Sequence, residues 1–209
     1  MGSASATELR LTNCIVQKLS CSQHKSFEQY DNYGNIIYYY KRVYESGQKQ
    51  INIYNADQKE IGKIRTIINS SCSNNIFFTF TDENNNIINY IDKNECCSSI
   101  YTFYDSNKNI ESVVTFKVGC KLTYEESDKY NTIINKADIN NYCCSSLFNE
   151  YDQYGNLTFK TKIFEQMYSN IIKFFDSYDN EVNINDKTLL NKGFTKIQLI
   201  ILLEFIFRR

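Results

Sequence analysis

Runs of β-branched and aromatic residues alternate along this chain with short clusters of Asp, Asn and Gly. Six clusters stand out: YDNYGNI at 30–36, YNADQKEI at 54–61, TDENNNI at 81–87, YDSNKNI at 104–110, YDQYGNL at 151–157 and FDSYDNEV at 175–182. Gly34 and Gly155 can adopt positive φ beside an Asn that also tolerates it, and the Asn residues at 84–86, 107 and 109 serve the same purpose. The flanks at 36–43, 76–80, 113–118 and 157–163 are rich in residues that suit a pleated strand. The last of these alternates apolar with polar, which predicts one buried and one wet face. Each cluster therefore predicts a β-hairpin, and six hairpins give twelve strands.

The turn centres fall near 32, 56, 84, 107, 153 and 178, at spacings of 24, 28, 23, 46 and 25 residues. A repeat of about 24 residues accommodates two strands and two turns. The 46-residue gap predicts an insertion at 121–141, a long loop with one short helix around 124–130. An internal match is direct: CCSSIYTFYD at 96–105 aligns without gaps with CCSSLFNEYD at 143–152, 47 residues later. Repeated hairpins suit a closed antiparallel barrel, in which no strand edge is left open.

The final segment changes period. Residues 194–209, FTKIQLIILLEFIFRR, are apolar on nearly every side, with Gln198 and Glu204 the interruptions within 197–207. That run is shorter than the roughly 20 residues needed to span a bilayer. A helix apolar all round must be buried. Placed at about 191–208 it would be roughly 27 Å long, matching the height of a barrel and predicting a helix on its axis. Glu204 would then need a buried donor such as Lys or Tyr. The fold expected is mainly β: a twelve-stranded antiparallel closed barrel of six hairpins around a C-terminal hydrophobic helix. One domain covers 27–209, preceded by an arm at 1–26 with a short strand or helix.

Composition and charge narrow the function classes. A net charge of −1 with no long block of like charge excludes a nucleic-acid patch. Residues 1–7 lack the apolar core of a secretory signal, so they read as a flexible start and the chain as cytoplasmic. The eight Cys, at 14, 21, 72, 96, 97, 120, 143 and 144, then read as reduced small hydrophobes. His24, the one His, reads as an exposed surface residue, and Glu125–Glu126 as a solvated charge pair. No phosphate loop, HExxH helix or nucleophile elbow is present, so the chain carries no catalytic constellation for hydrolysis or transfer.

Two places resemble the phospholipid scramblase family, whose barrel is similar to the tubby C-terminal and LURP-one-like fold. FEQYDNYGNIIY at 27–38 resembles the family's opening hairpin. FFDSYDN at 174–180, followed by KIQLIILLEFIF at 196–207, resembles its acidic loop and closing helix, with Glu204 at the acidic position before Phe205. The family's Pro-rich arm and multi-Cys cluster are not reproduced. The resemblance implies Ca²⁺-sensitive, ATP-independent phospholipid movement or binding, peripheral to the cytoplasmic face of a membrane. Ca²⁺ would be held by Asp176, Asp179, Glu181 and Asp186, although the spacing is not an EF-hand and also suits a solvated turn.

Other readings stay open beside it. Cys96, Cys97, Cys143 and Cys144 are palmitoylation candidates, with Zn²⁺ thiolates and small hydrophobes as alternatives. The terminal helix is either a core helix or a membrane anchor. Lys41, Arg42, Lys160 and Lys162, with Lys63 and Arg65, are candidates to hold a lipid headgroup. The alternative function is a non-catalytic phosphoinositide-binding or protein-interaction scaffold built on the same barrel, and a third is a structural component of a larger assembly joined through Tyr-rich strands.

Overall fold

The computed structural model describes residues 11–18, 26–45, 47–69, 75–95, 98–119, 121–165, 169–190 and 193–207. They form one closed antiparallel barrel of fourteen strands around one helix. The strands are β1 (Cys14–Lys18), β2 (Ser26–Tyr30), β3 (Ile36–Glu45), β4 (Gln48–Asn55), β5 (Glu60–Asn69), β6 (Asn75–Asp82) and β7 (Ile87–Glu95). They continue with β8 (Ser99–Tyr104), β9 (Ile110–Val118), β10 (Leu122–Asp128), β11 (Ile133–Tyr142), β12 (Ser145–Asp152), β13 (Leu157–Glu165) and β14 (Ser169–Asp176). Every strand pairs with its neighbours in sequence, and β1 closes the ring against β14, with Cys14 opposite Lys173 and Lys18 opposite Ser169. The segment expected as an arm thus supplies a wall strand.

The expectation of twelve strands is corrected to fourteen: 121–141 is a hairpin and not a loop with a helix, β1 joins from the expected arm, and the sixth expected hairpin supplies only β14, because beyond its turn only an isolated bridge from Phe175 to Glu181 forms. One turn chemistry recurs at one end of the barrel. In each case an Asp accepts the backbone N–H groups two and four residues on. Asp105 Oδ1 takes Asn107 and Asn109 N–H at 2.8 Å each, while its other oxygen takes the Asn109 side-chain amide at 2.9 Å. The same pattern forms at Asp31, Asp82, Asp152 and Asp176. Asn55 makes part of it, accepting from Lys59 N–H at 2.9 Å. The overlooked turn is at Asp128, which accepts Tyr130 and Thr132 N–H at 2.8 and 2.9 Å. The fourth residue always takes positive φ: Gly34, Gln58, Asn85, Lys108, Asn131, Gly155 and Asp179. A register shift sits just before the turn in each of the six hairpins, at Gln29/Tyr30 in the first and Glu150/Tyr151 in the last. These bulges raise the local twist that barrel closure needs.

The helix α1 (Lys196–Phe207) fills the bore. Its length is about 18 Å, shorter than expected from 191–208, because a capping box fixes its start. Gln198 N–H donates to Thr195 Oγ1 at 3.1 Å, and Thr195 N–H donates back to Gln198 Oε1 at 3.2 Å. Eight apolar side chains of α1 are buried among inward residues of the wall, at roughly 2 kcal/mol each. Aromatic contacts pin both ends: Phe174 on Phe194 at 5.1 Å, Phe27 on Phe205 at 5.8 Å and Phe78 on Phe207 at 5.4 Å. At the far end Arg42 Nη1 and Lys49 Nζ each lie 3.4 Å from the final carbonyls, of Ile206 and Phe207, complementing the negative pole of the helix. α1 is a core helix, and no helix among the described residues is long and apolar enough to cross a membrane.

Between the last turn and α1 the chain crosses the mouth of the barrel. Gln29, fully buried on β2, holds it there: its amide donates to the Ile184 and Lys187 carbonyls at 2.8 Å each, and its carbonyl accepts from Tyr40 at 2.5 Å. Leu190 packs over Gly62 on β5, where a Cβ would stand 2.4 Å from the Thr81 carbonyl oxygen and 2.9 Å from Leu190.

Candidate functional site

Three of the four carboxylates expected to hold Ca²⁺ are engaged elsewhere. Asp176 spends both oxygens on its own turn. Asp179 Oδ1 accepts from Lys160 Nζ at 2.6 Å. Glu181 pairs with the buried Lys173 and accepts from Thr12 Oγ1 at 3.0 Å. Asp186 lies exposed at the mouth, in a recess of about 470 Å³ with Tyr38, Asp82 and Glu83. Among the described residues no group of three or more His, Cys, Asp or Glu could hold a metal ion.

The candidate headgroup cations separate. Arg42 is buried and serves the helix C-terminus, whereas Lys41 is exposed on the outer wall, 4.8 Å over the Tyr54 ring. Strand alternation makes this unavoidable, because neighbours on one strand face opposite ways. Lys160 and Lys162, two apart on β13, do share a face. They line an outer groove of about 500 Å³ with Leu147, Tyr151, Phe164 and Phe175, closed at one side by Asp179. Lys162 Nζ stands 4.8 Å from the Phe164 ring, and Lys160 is held by Asp179. On the other face of β13, Thr161 and Ile163 are buried toward the bore, as the alternating pattern led us to expect. The groove is thus a pair of ammonium groups beside apolar side chains.

Cys143 and Cys144 are exposed at the β11–β12 turn, and Cys14 is buried. Cys96 and Cys97, and also His24, lie outside the described residues.

Two polar clusters lie in the bore. Glu204, part-buried with its side chain 34% exposed, accepts from Lys93 Nζ at 2.7 Å and Tyr101 hydroxyl at 2.8 Å, the two kinds of donor expected for it. At the other end of α1, Thr195 Oγ1 donates to Glu150 Oε2 at 2.9 Å. Burial pushes the Glu150 carboxyl up to about 7, against the hydrogen bond from Thr195. Burial likewise raises Glu126, which accepts from Asn135 at 2.9 Å. The Glu125–Glu126 pair is therefore not solvated as a unit. Glu125 faces outward to Lys117 and Lys136, and Glu126 faces the bore. Composition concealed this; the period-2 pattern of β10 carried it.

A scan against protein-family models and a search of curated proteins return no match to this chain.

Proposed function

We propose that the protein is a non-catalytic, phospholipid-binding barrel of the scramblase-like kind. It would hold an anionic headgroup at Lys160 and Lys162, with the apolar portion of the lipid against Leu147, Phe164 and Phe175. The observation that carries this reading is the groove itself, which sets two ammonium groups beside apolar side chains on the outer wall of β12–β14. Such a juxtaposition matches a phospholipid, whose charge and hydrocarbon lie a few ångströms apart. A net charge of −1 offers no general attraction to anionic surfaces, so binding rests on this local pair. α1 occupies the bore, so a lipid moving between leaflets would travel along the outer wall, where about 30 Å of hydrocarbon must be crossed.

The test is flotation with liposomes that contain phosphatidylinositol phosphates and a leaflet-reporter lipid, with and without Ca²⁺. The expected result is flotation that depends on the anionic lipid, while the reporter keeps its leaflet. No flotation at any composition overturns the binding reading. Loss of reporter asymmetry would instead favour lipid movement.

A further inference from the structure

The β11–β12 turn is made by two adjacent cysteines. Tyr142 pairs with Ser145 across it, so Cys143 and Cys144 are its central residues, neither at positive φ. Both are exposed. The turn is fastened from two sides. Ser146 Oγ donates to Asn141 Oδ1 at 2.9 Å, and the Glu165 N–H donates to the Cys144 carbonyl at 2.9 Å. The neighbouring Cys143 side chain holds the Cys144 thiol above its usual range.

We propose that Cys143 and Cys144 form a dithiol–disulfide exchange site for a low-molecular-weight disulfide of the glutathione class. Cys144, the thiol held up by its neighbour, keeps its proton longer, so Cys143 is the sulfur that attacks first. Its thiolate attacks one sulfur of the small disulfide, breaks that S–S bond and expels one thiolate. Cys144 then loses its proton, attacks the Cys143 sulfur of the mixed disulfide and expels the second thiolate. The two protein thiols are oxidised to one disulfide and the small disulfide is reduced to two thiols, which take up the two protons. The product closes on neighbouring residues, whose Cα atoms are about 3.8 Å apart across a trans peptide, whereas ordinary disulfides span about 4.4–6.8 Å. Strained, exposed disulfides of this kind have more oxidising potentials and belong to the labile class. The site therefore suits reversible sensing and not structural bracing.

The probe is glutathione disulfide, added to the full chain and followed by alkylation and tryptic mass spectrometry. The peptide 137–160, between Lys136 and Lys160, contains these two cysteines and no others. Expected is a loss of two hydrogen masses on that peptide, reversed by dithiothreitol. The Cys144→Ser protein should accumulate a stable mixed disulfide on Cys143, and Cys143→Ser should react at least tenfold more slowly. The proposal is overturned if the wild-type peptide stays reduced, ends as a glutathione adduct or is cross-linked to another peptide. It is also overturned if Cys143→Ser forms adducts at the wild-type rate.

Discussion

Glu204 on α1 and Lys93 on β7 meet inside the barrel, carboxylate oxygen to ammonium at 2.7 Å, and so tie the central helix to its wall by charge as well as by packing. The Lys93 ammonium also stands 5.5 Å from the ring of Tyr101, whose hydroxyl donates to the same carboxylate oxygen. Removing one partner leaves the other charge in a poorly solvated place. Glu204→Ala should therefore lower stability by about 2–3 kcal/mol, and a Glu204→Leu/Lys93→Met pair should recover part of that loss. Urea denaturation of Glu204→Leu, Lys93→Met and the pair gives the coupling. Additive losses would show that the contact contributes nothing.

Glu150 makes stability depend on pH near neutrality. Its carboxyl titrates at about 7 in the folded barrel, against an ordinary value of 4.5. The folded state therefore binds the proton more tightly than the unfolded chain. This contribution is fully present below pH 4.5 and is lost as pH rises through 7, on the order of 3 kcal/mol. Glu126, raised in the same direction, adds to the trend. Glu150→Gln keeps an acceptor for Thr195 and should flatten the slope of unfolding free energy between pH 4.5 and 7. A slope unchanged from wild type would rule Glu150 out as its source.

The turn carboxylates act in the opposite sense. The side-chain amide of the Asn four residues on, followed by backbone N–H groups, holds Asp82, Asp105, Asp152 and Asp176 below the usual carboxylate range. Their stabilisation is present above the ordinary Asp value of 3.8 and fades as pH falls through the depressed folded value. Asp105→Ala should lower the melting temperature, Asp105→Asn should lower it less because one acceptor survives, and the difference from wild type should shrink as pH falls below the ordinary Asp value of 3.8. Equal losses for Ala and Asn at neutral pH would mean that the acceptor is irrelevant.

In the outer groove Asp179 occupies the Lys160 ammonium that a lipid phosphate would take. Asp179→Asn should raise binding to anionic vesicles severalfold, and Lys160→Gln with Lys162→Gln should lower it about tenfold. Both effects should fall with added salt. Vesicle co-sedimentation at two ionic strengths measures them, and equal binding by all variants would remove the groove from consideration.

Gly62 is present because space forbids anything larger. A methyl there would meet the Thr81 carbonyl oxygen at 2.4 Å, a backbone atom that cannot move alone. Gly62→Ala should cost about 1–3 kcal/mol by overpacking β5 against β6 and Leu190. Thermal melting reads it directly, and a stabilised variant would show that the wall is softer at this point.

The barrel, its hairpins and its helix were legible because three periodicities coincide: alternation along strands, a turn every 23–27 residues and an all-round apolar run. The count of strands was not. The turn at Asp128 has Ser127 where the others have an aromatic or Thr before the first turn residue, and Thr132 where most have Asn, so resemblance to its neighbours failed. What the turn needs is narrower: a side-chain acceptor at the first position and tolerance of positive φ at the fourth, both of which Asp128 and Asn131 supply. The 46-residue gap was two ordinary repeats. The acidic loop misled for a related reason, since Asp176 is the acceptor its turn requires. Lys160 and Lys162 were placed on one face by alternation, but the apolar side chains beside them come from β12, the end of β13 and the end of β14, which only the register brings together.

Closure of the ring by β1 against β14 has a consequence for how the chain reaches this state. The two strands that seal the wall are separated by twelve others, and the segment that fills the bore follows all of them. During synthesis the growing sheet must therefore wait with both borders unpaired and its inner face uncovered. The wall cannot seal tightly first without shutting out its own core. Docking of α1 and meeting of β1 with β14 should thus occur together and late, with the hairpins already formed by their local turns. A ribosome-stalled chain ending before Lys196 should expose apolar surface and bind a hydrophobic dye, although its hairpins are complete.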